Sequence, residues 1–262
     1  MASTLVAYSV DGVAARLTLD SPHNRNALSS ALVAQLHEGL RRAEADPTVR
    51  AVVLGHTGNT FCAGADLTEP SEASTGDPAD AAAARAVELA AVLRSIVECR
   101  VPVIAALDGH VRAGGLGLVG ACDIAVAGPR STFALTEARI GVAPAIISLT
   151  LLPKLAPRAA ARYFVTGEAF TADRAAEIGL VTVAVDDVTA AVDDLVAKVG
   201  LASPQGLAAS KALTTAGVLA GFDRDAGRLA EESARLFVSE EAREGMLAFL
   251  EKRPPRWAGP MV

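Results

Sequence analysis

A chain of 262 residues that is 51% apolar, with a formal net charge of −6, can bury a large core but offers no broad basic surface for nucleic acid or anionic lipid. Cys62, Cys99 and Cys122 are widely spaced without C-x-x-C, and the four histidines lack metal-ligand spacing. These patterns argue against a disulfide framework and a metal site.

In chain order, LVAYSV-DG-VAARLTL alternates around Asp11-Gly12 and predicts a β-hairpin over residues 5–20. Residues 28–45 predict an amphipathic helix with Leu32, Leu36 and Leu40 on one face, stopped by Asp46-Pro47. AVVLG at 51–55 predicts a buried strand, followed by the polar turn HTGNT and then by FCAGADL. Residues 69–80 are rich in Ser, Gly, Pro and Asp and predict a loop, and 81–99 a helix. A strand is expected at 103–107, a Gly-rich turn entering a helix at about 115–121, and short strands at 123–127 and 132–135. Beyond Ala145 the pattern is mainly helical: 146–155, 158–166 and 171–178, then a strand at 180–185, then helices to about Lys252. Ser203-Pro204 starts one of these, with Pro at a first-turn position. No internal repeat or interdomain linker is visible, and the order implies an α/β core followed by a helical part. MASTLVAYSVDG lacks a basic n-region, and IGVAPAIISLTLLP is too short to span a bilayer and holds Pro144. A cytoplasmic protein with neither a membrane nor a nucleic-acid partner is therefore expected.

Gly115–Gly120 reads G-L-G-L-V-G, a G-x-G-x-x-G pattern with Glu137 22 residues after its first glycine. A dinucleotide site needs that glycine directly at the end of a strand and the acid at the end of the next one. Here the eight residues Asp108–Gly115 intervene, and Glu137 does not close a strand, so no nicotinamide cofactor is expected. Two turns, FCAGAD and RAGGLG, instead each follow a buried strand. Their small residues let backbone approach a ligand, and N–H groups from both could converge on one oxygen at the positive end of a helix. Such an oxyanion hole stabilises an enolate or tetrahedral oxyanion. The alternative is that the glycines only permit tight strand–helix packing.

Five ordered segments carry a resemblance over nearly the whole chain: NRNALSSAL, FCAGADL, VPVIAALDGHVRAGGLGLVGACDIAVA, STFALTEARIGVAP and EGMLAFLEKRPPRW. Together they resemble the crotonase (enoyl-CoA hydratase/isomerase) superfamily. The resemblance implies a spiral of β-β-α turns over residues 1–200, with a C-terminal helical trimerisation region over 201–262. It implies an acyl-CoA thioester substrate, no separate cofactor, and a homotrimer or a hexamer built as a dimer of trimers. It places the oxyanion-hole N–H groups on Ala63 and Gly114 and the catalytic carboxylate on Glu137. The substrate is expected to meet Ala65, Asp66, Leu67 and Gly115, with Arg25 and Lys252 as contacts for the coenzyme A phosphates.

The chain departs from the family pattern at Gly117, where the best-known hydratases carry a first catalytic Glu. One carboxylate suffices to isomerise a 3-enoyl to a 2-enoyl thioester, and loss of an acid is also a route to an acyl-CoA binder without turnover. G-G-L-G-L…CDIA…F-A-L-T-E-A-R-I-G-V-A-P-A-I-I-S resembles the branch of methylglutaconyl-CoA and related branched acyl-CoA hydratases. In that direction, Arg112 could pair with the free carboxylate of a dicarboxylic acyl group; an Arg112 that faces solvent or binds a structural acid is the plainer reading.

Overall fold

The computed structural model describes residues 3–66 and 78–259. The hairpin forms as β1 (Val6–Asp11) and β2 (Ala14–Leu19). Asp11 faces Ala14, so the loop is Gly12-Val13, one residue later than expected, with Gly12 at φ 57°. On β2 the alternate residues Ala15, Leu17 and Leu19 are fully buried. Helix α1 (Ser30–Ala45) begins where the Ser29 hydroxyl accepts the Leu32 N–H, and it buries Leu32, Leu36 and Leu40.

Three β-β-α turns follow. The first is β3 (Ala51–His56), β4 (Thr60–Cys62) and α2 (Pro78–Glu98). The second is β5 (Val103–Leu107), β6 (His110–Arg112) and α3 (Gly114–Ala121). The third is β7 (Ile124–Ala127), β8 (Thr132–Ala134) and a 3-10 turn, Glu137–Ile140, leading to the short helix α4 (Ser148–Leu151). The remainder is α5 (Pro157–Thr166), β9 (Phe170–Thr171), α6 (Ala172–Glu177), β10 (Val183–Ala184), α7 (Val188–Gly200), α8 (Pro204–Phe237) and α9 (Glu240–Leu250).

The first strand of each turn enters a six-stranded sheet, ordered β1-β2-β3-β5-β7-β10 and parallel from β2 onward. The second enters a four-stranded sheet, ordered β4-β6-β8-β9. The repeated unit is thus one of backbone geometry, although the sequence shows no repeat. Strands β4, β6 and β9 were not expected, because two or three residues carry no readable alternation. The helix expected at 146–155 contracts to α4, and residues 78–80 of the expected loop belong to α2.

The core is continuous from β2 to α8, whose Val218, Phe222 and Ala230 pack into it. A buried ion pair fastens α8 to the sheet: Lys211 Nζ lies 2.8 Å from Asp123 Oδ2. Lys211 also donates to the Ile96 carbonyl at 2.9 Å, and Asp123 accepts the Val103 N–H at 2.7 Å. Removing one partner of so buried a pair leaves an uncompensated charge, a change that costs roughly 3–5 kcal/mol. Among the described residues, no helix is long and apolar enough to cross a membrane, and no group of three or more His, Cys, Asp or Glu could hold a metal.

Candidate active site

Strands β4, β6 and β8 run parallel, with Cys62 beside Val111 and Arg112 beside Ala134. The three segments leaving their C-terminal ends are therefore neighbours: Ala63–Asp66, Ala113–Gly114 and Leu135–Glu137. Carboxyl ends of parallel strands are where such folds place ligands.

The first turn is pinned by Leu28, whose N–H donates to the Gly64 carbonyl at 2.7 Å and whose carbonyl accepts the Asp66 N–H at 3.2 Å. Gly64 sits at φ 94°. The Ala63 N–H donates to the Arg25 carbonyl at 3.1 Å. This corrects the expectation for Ala63, whose donor is already engaged inside the protein. The Ala65 N–H meets no acceptor among the described residues, and Ala65 is exposed. Asp66 accepts from Asn24 Nδ2 at 3.1 Å, which shapes the turn. Leu67 and residues 69–77 lie outside the described residues.

The second turn abuts the first. A Cβ on Gly114 would lie 3.7 Å from Gly64 Cα, and one on Gly64 would lie 3.4 Å from the Gly114 nitrogen. Gly114 opens α3, and its N–H meets no acceptor among the described residues, as expected of a first-turn amide. The glycines of the apparent dinucleotide pattern are packing residues. A Cβ on Gly115 would lie 2.8 Å from the Cys62 carbonyl oxygen, and one on Gly120 would lie 3.0 Å from that of Thr150. At Gly117 it would lie 2.5 Å from Ile147 Cγ2 and 3.2 Å from Leu93 Cδ1. The position that lacks the family's first Glu is therefore filled by apolar side chains.

Glu137 opens the 3-10 turn after β8. Its Oε2 is buried and has no hydrogen-bond partner among the described residues. Burial pushes its carboxyl up to about 7, because desolvation penalises the carboxylate. The turn is braced from behind by α9: a Cβ on Gly141 would lie 2.6 Å from the Glu241 carbonyl carbon, and one on Gly245 would lie 2.5 Å from that of Ile140. Backbone thus touches backbone at both glycines. The buried Glu244 of α9 is gripped by Arg253 at 2.7 and 3.1 Å, which with the Arg256 N–H holds its carboxyl down at about 2. No sequence signal singled out Gly141, Gly245 or Ile147, since each matters only through a contact distant in the chain.

Three expected residues remain. Arg112 turns its guanidinium onto β8, donating to the Thr132 carbonyl at 2.6 Å, the Thr132 hydroxyl at 2.9 Å and the Val111 carbonyl at 2.9 Å. It is half-buried, which corrects the solvent-facing alternative. Arg25 and Lys252 are exposed, at φ 59° and 54°.

The sequence model of the enoyl-CoA hydratase/isomerase family matches residues 10–260. The crystal structure of an enoyl-CoA hydratase from Mycobacterium avium is 70% identical, with a TM-score of 0.92, covering 98% of this chain and 100% of that one. A Bacillus subtilis protein named "Probable enoyl-CoA hydratase" is 31% identical over 97% of this chain and 98% of its own length. The 1,2-epoxyphenylacetyl-CoA isomerase of Escherichia coli is 31% identical over 93% of this chain and 94% of its own. With its β-β-α spiral and its acid beside two glycine turns, the chain belongs to the enoyl-CoA hydratase/isomerase family of enzymes.

Proposed function

We propose that this enzyme hydrates a short 2-enoyl-CoA thioester with Glu137 as its one acid–base group. The observation that carries the reading is the Glu137 carboxyl, whose buried Oε2 has no partner among the described residues, on the same strand ends as the two free backbone N–H groups. The thioester oxygen sits between the N–H groups of Gly114 and Ala65, with the positive end of α3 behind Gly114. Each donor there lowers the barrier by roughly 3 kcal/mol as charge gathers on that oxygen. The Glu137 carboxylate takes a proton from water as the hydroxyl bonds to Cβ, and the resulting carboxylic acid returns a proton to Cα of the enolate. The carboxylate is regenerated and one water is consumed.

Arg25 and Lys252 are proposed to meet the coenzyme A phosphates, for which their exposure suits them. The donors of Arg112 are largely engaged on β8, so a free acyl carboxylate gains little from it, and a dicarboxylic substrate such as 3-methylglutaconyl-CoA should hold no advantage.

A specific observation favours a second reading. With Ile147 and Leu93 filling the space at Gly117, that position supplies no second carboxyl to share a water with Glu137. A single carboxyl suffices to move a proton from C2 to C4 of a 3-enoyl thioester. Among the relatives above, one is itself named an isomerase.

The test follows loss of 2-enoyl absorbance with crotonyl-CoA and with 3-methylglutaconyl-CoA, alongside turnover of a 3-enoyl-CoA. Hydration should be lost by a factor of roughly 100–10,000 in Glu137→Gln, with acyl-CoA binding retained. Turnover of the 3-enoyl thioester without hydration of either 2-enoyl thioester would replace hydration by isomerisation. Binding without any turnover would overturn both.

A further inference from the structure

Ala113, between β6 and α3, holds a backbone conformation that disfavours a side chain. It lies at φ 47° and ψ −120°, where glycine is at home and an L residue is strained. Among the described residues, the other non-glycine residues at positive φ are Arg25, Asn26 and Lys252. Arg25, at φ 59° and ψ 39°, sits in the ordinary left-handed well, which Ala113 does not.

The strain is held in place from several sides. The Ala113 N–H donates to the Ala134 carbonyl at 3.3 Å, and its own carbonyl accepts the Leu116 N–H at 2.9 Å. Its methyl lies over Gly64: a Cβ on Gly64 would fall 2.8 Å from Ala113 Cβ. The methyl therefore occupies the space that Gly64 leaves open and wedges the two turns together. The peptide that carries the Gly114 N–H is the one that begins at Ala113, so the torsions of Ala113 set the direction of that N–H. A glycine in place of Ala113 would precede Gly114 and Gly115 without a break, and nothing local would hold that direction.

We infer that Ala113 is a positioning residue: its strained backbone and its methyl hold the Gly114 N–H in line with that of Ala65, at a cost in stability. The inference rests on the reading of those two N–H groups as the receptors of the thioester oxygen. Strain that persists because the surroundings over-determine it is characteristic of pre-organised sites.

The test compares Ala113→Gly and Ala113→Ser with wild type, by thermal unfolding and by steady-state kinetics on whichever enoyl-CoA the wild type turns over. Glycine relieves the strain, so Ala113→Gly should unfold about 2–4 °C higher. It should lose roughly tenfold in kcat with KM little changed, because a looser donor weakens the transition state and not the ground state. Ala113→Ser keeps a Cβ and should retain kcat. A residue with only a structural role would shift the unfolding temperature and leave kcat alone, and that outcome overturns the inference. So does an Ala113→Gly protein that unfolds at a lower temperature. If the wild type turns over no enoyl-CoA, the reading of the two N–H groups fails instead, which separates the two failures.

Discussion

Glu137 is where burial and chemistry meet. Its carboxyl titrates at about 7 in the folded protein, against an ordinary value of 4.5, because desolvation raises it and no cation among the described residues lies against it. Between those two pH values the folded protein keeps a proton that the unfolded chain has released. This group's contribution to stability is therefore full below pH 4.5 and is lost as pH rises through 7, by up to about 3 kcal/mol. Glu137→Gln removes the titration, so urea unfolding should show the variant gaining on wild type between pH 5 and pH 8. A difference that does not vary with pH would dismiss the raised value. On the proposed mechanism the same group fixes the rate profile: kcat/KM should fall about tenfold per pH unit below 7, as the carboxylate that would accept the water proton is lost. Two carboxylates sharing the work would instead show two coupled ionisations.

Helix α3 explains why position 117 carries no acid. Its eight residues are all buried, with Gly117 against Ile147 and Leu93 and Gly120 against the Thr150 carbonyl, so it is wedged among α2, α4 and the residues before α4. Gly117→Glu would drive a charged side chain into that contact and should destabilise the protein by roughly 2–5 kcal/mol without raising hydration. Adding Ile147→Ala should recover part of the loss, because the contact at 2.5 Å is with the Ile147 side chain. Calorimetry and the crotonyl-CoA assay check both; a Gly117→Glu protein of wild-type stability with faster hydration would refute the argument. The glycines of the two turns were legible in the sequence, as was Glu137 through the family resemblance, and the hairpin, α1 and β5 follow from periodicity and turn residues. The free N–H of Ala65 was legible only as part of a turn, because the Arg25 carbonyl that occupies Ala63 comes from a segment 38 residues earlier. The small second sheet, Ile147 and the α9 brace were not legible for the same reason: each is defined by a partner remote in the chain.

At the scale of the whole molecule, three β-β-α turns set three strand ends side by side, while α8 and α9 fold back to close the core and support the turn of the acid. This arrangement leaves large apolar side chains facing out: Leu201 at 90% exposure, Leu213 at 81%, Val165 at 75%, and Phe249 and Leu250 at 63% each. Leu152 joins Leu155, Pro157, Ala160, Ala161 and Phe164 in an apolar groove between α4 and α5. Single exposed leucines are ordinary, but an apolar groove open to solvent suits self-association. The trimer or dimer of trimers implied by the family resemblance would cover such surface, and closed rotational symmetry would let one patch meet another on every copy. Light scattering on the purified protein should therefore give a mass of about three or six times the 26.7 kDa chain. Leu152→Glu, which puts a charge in the groove at a side chain already half in solvent, should shift that mass toward the single chain while leaving the far-ultraviolet circular dichroism unchanged. A wild-type mass of one chain at micromolar concentration would rule the assembly out, and an unshifted Leu152→Glu protein would move the interface away from α4 and α5.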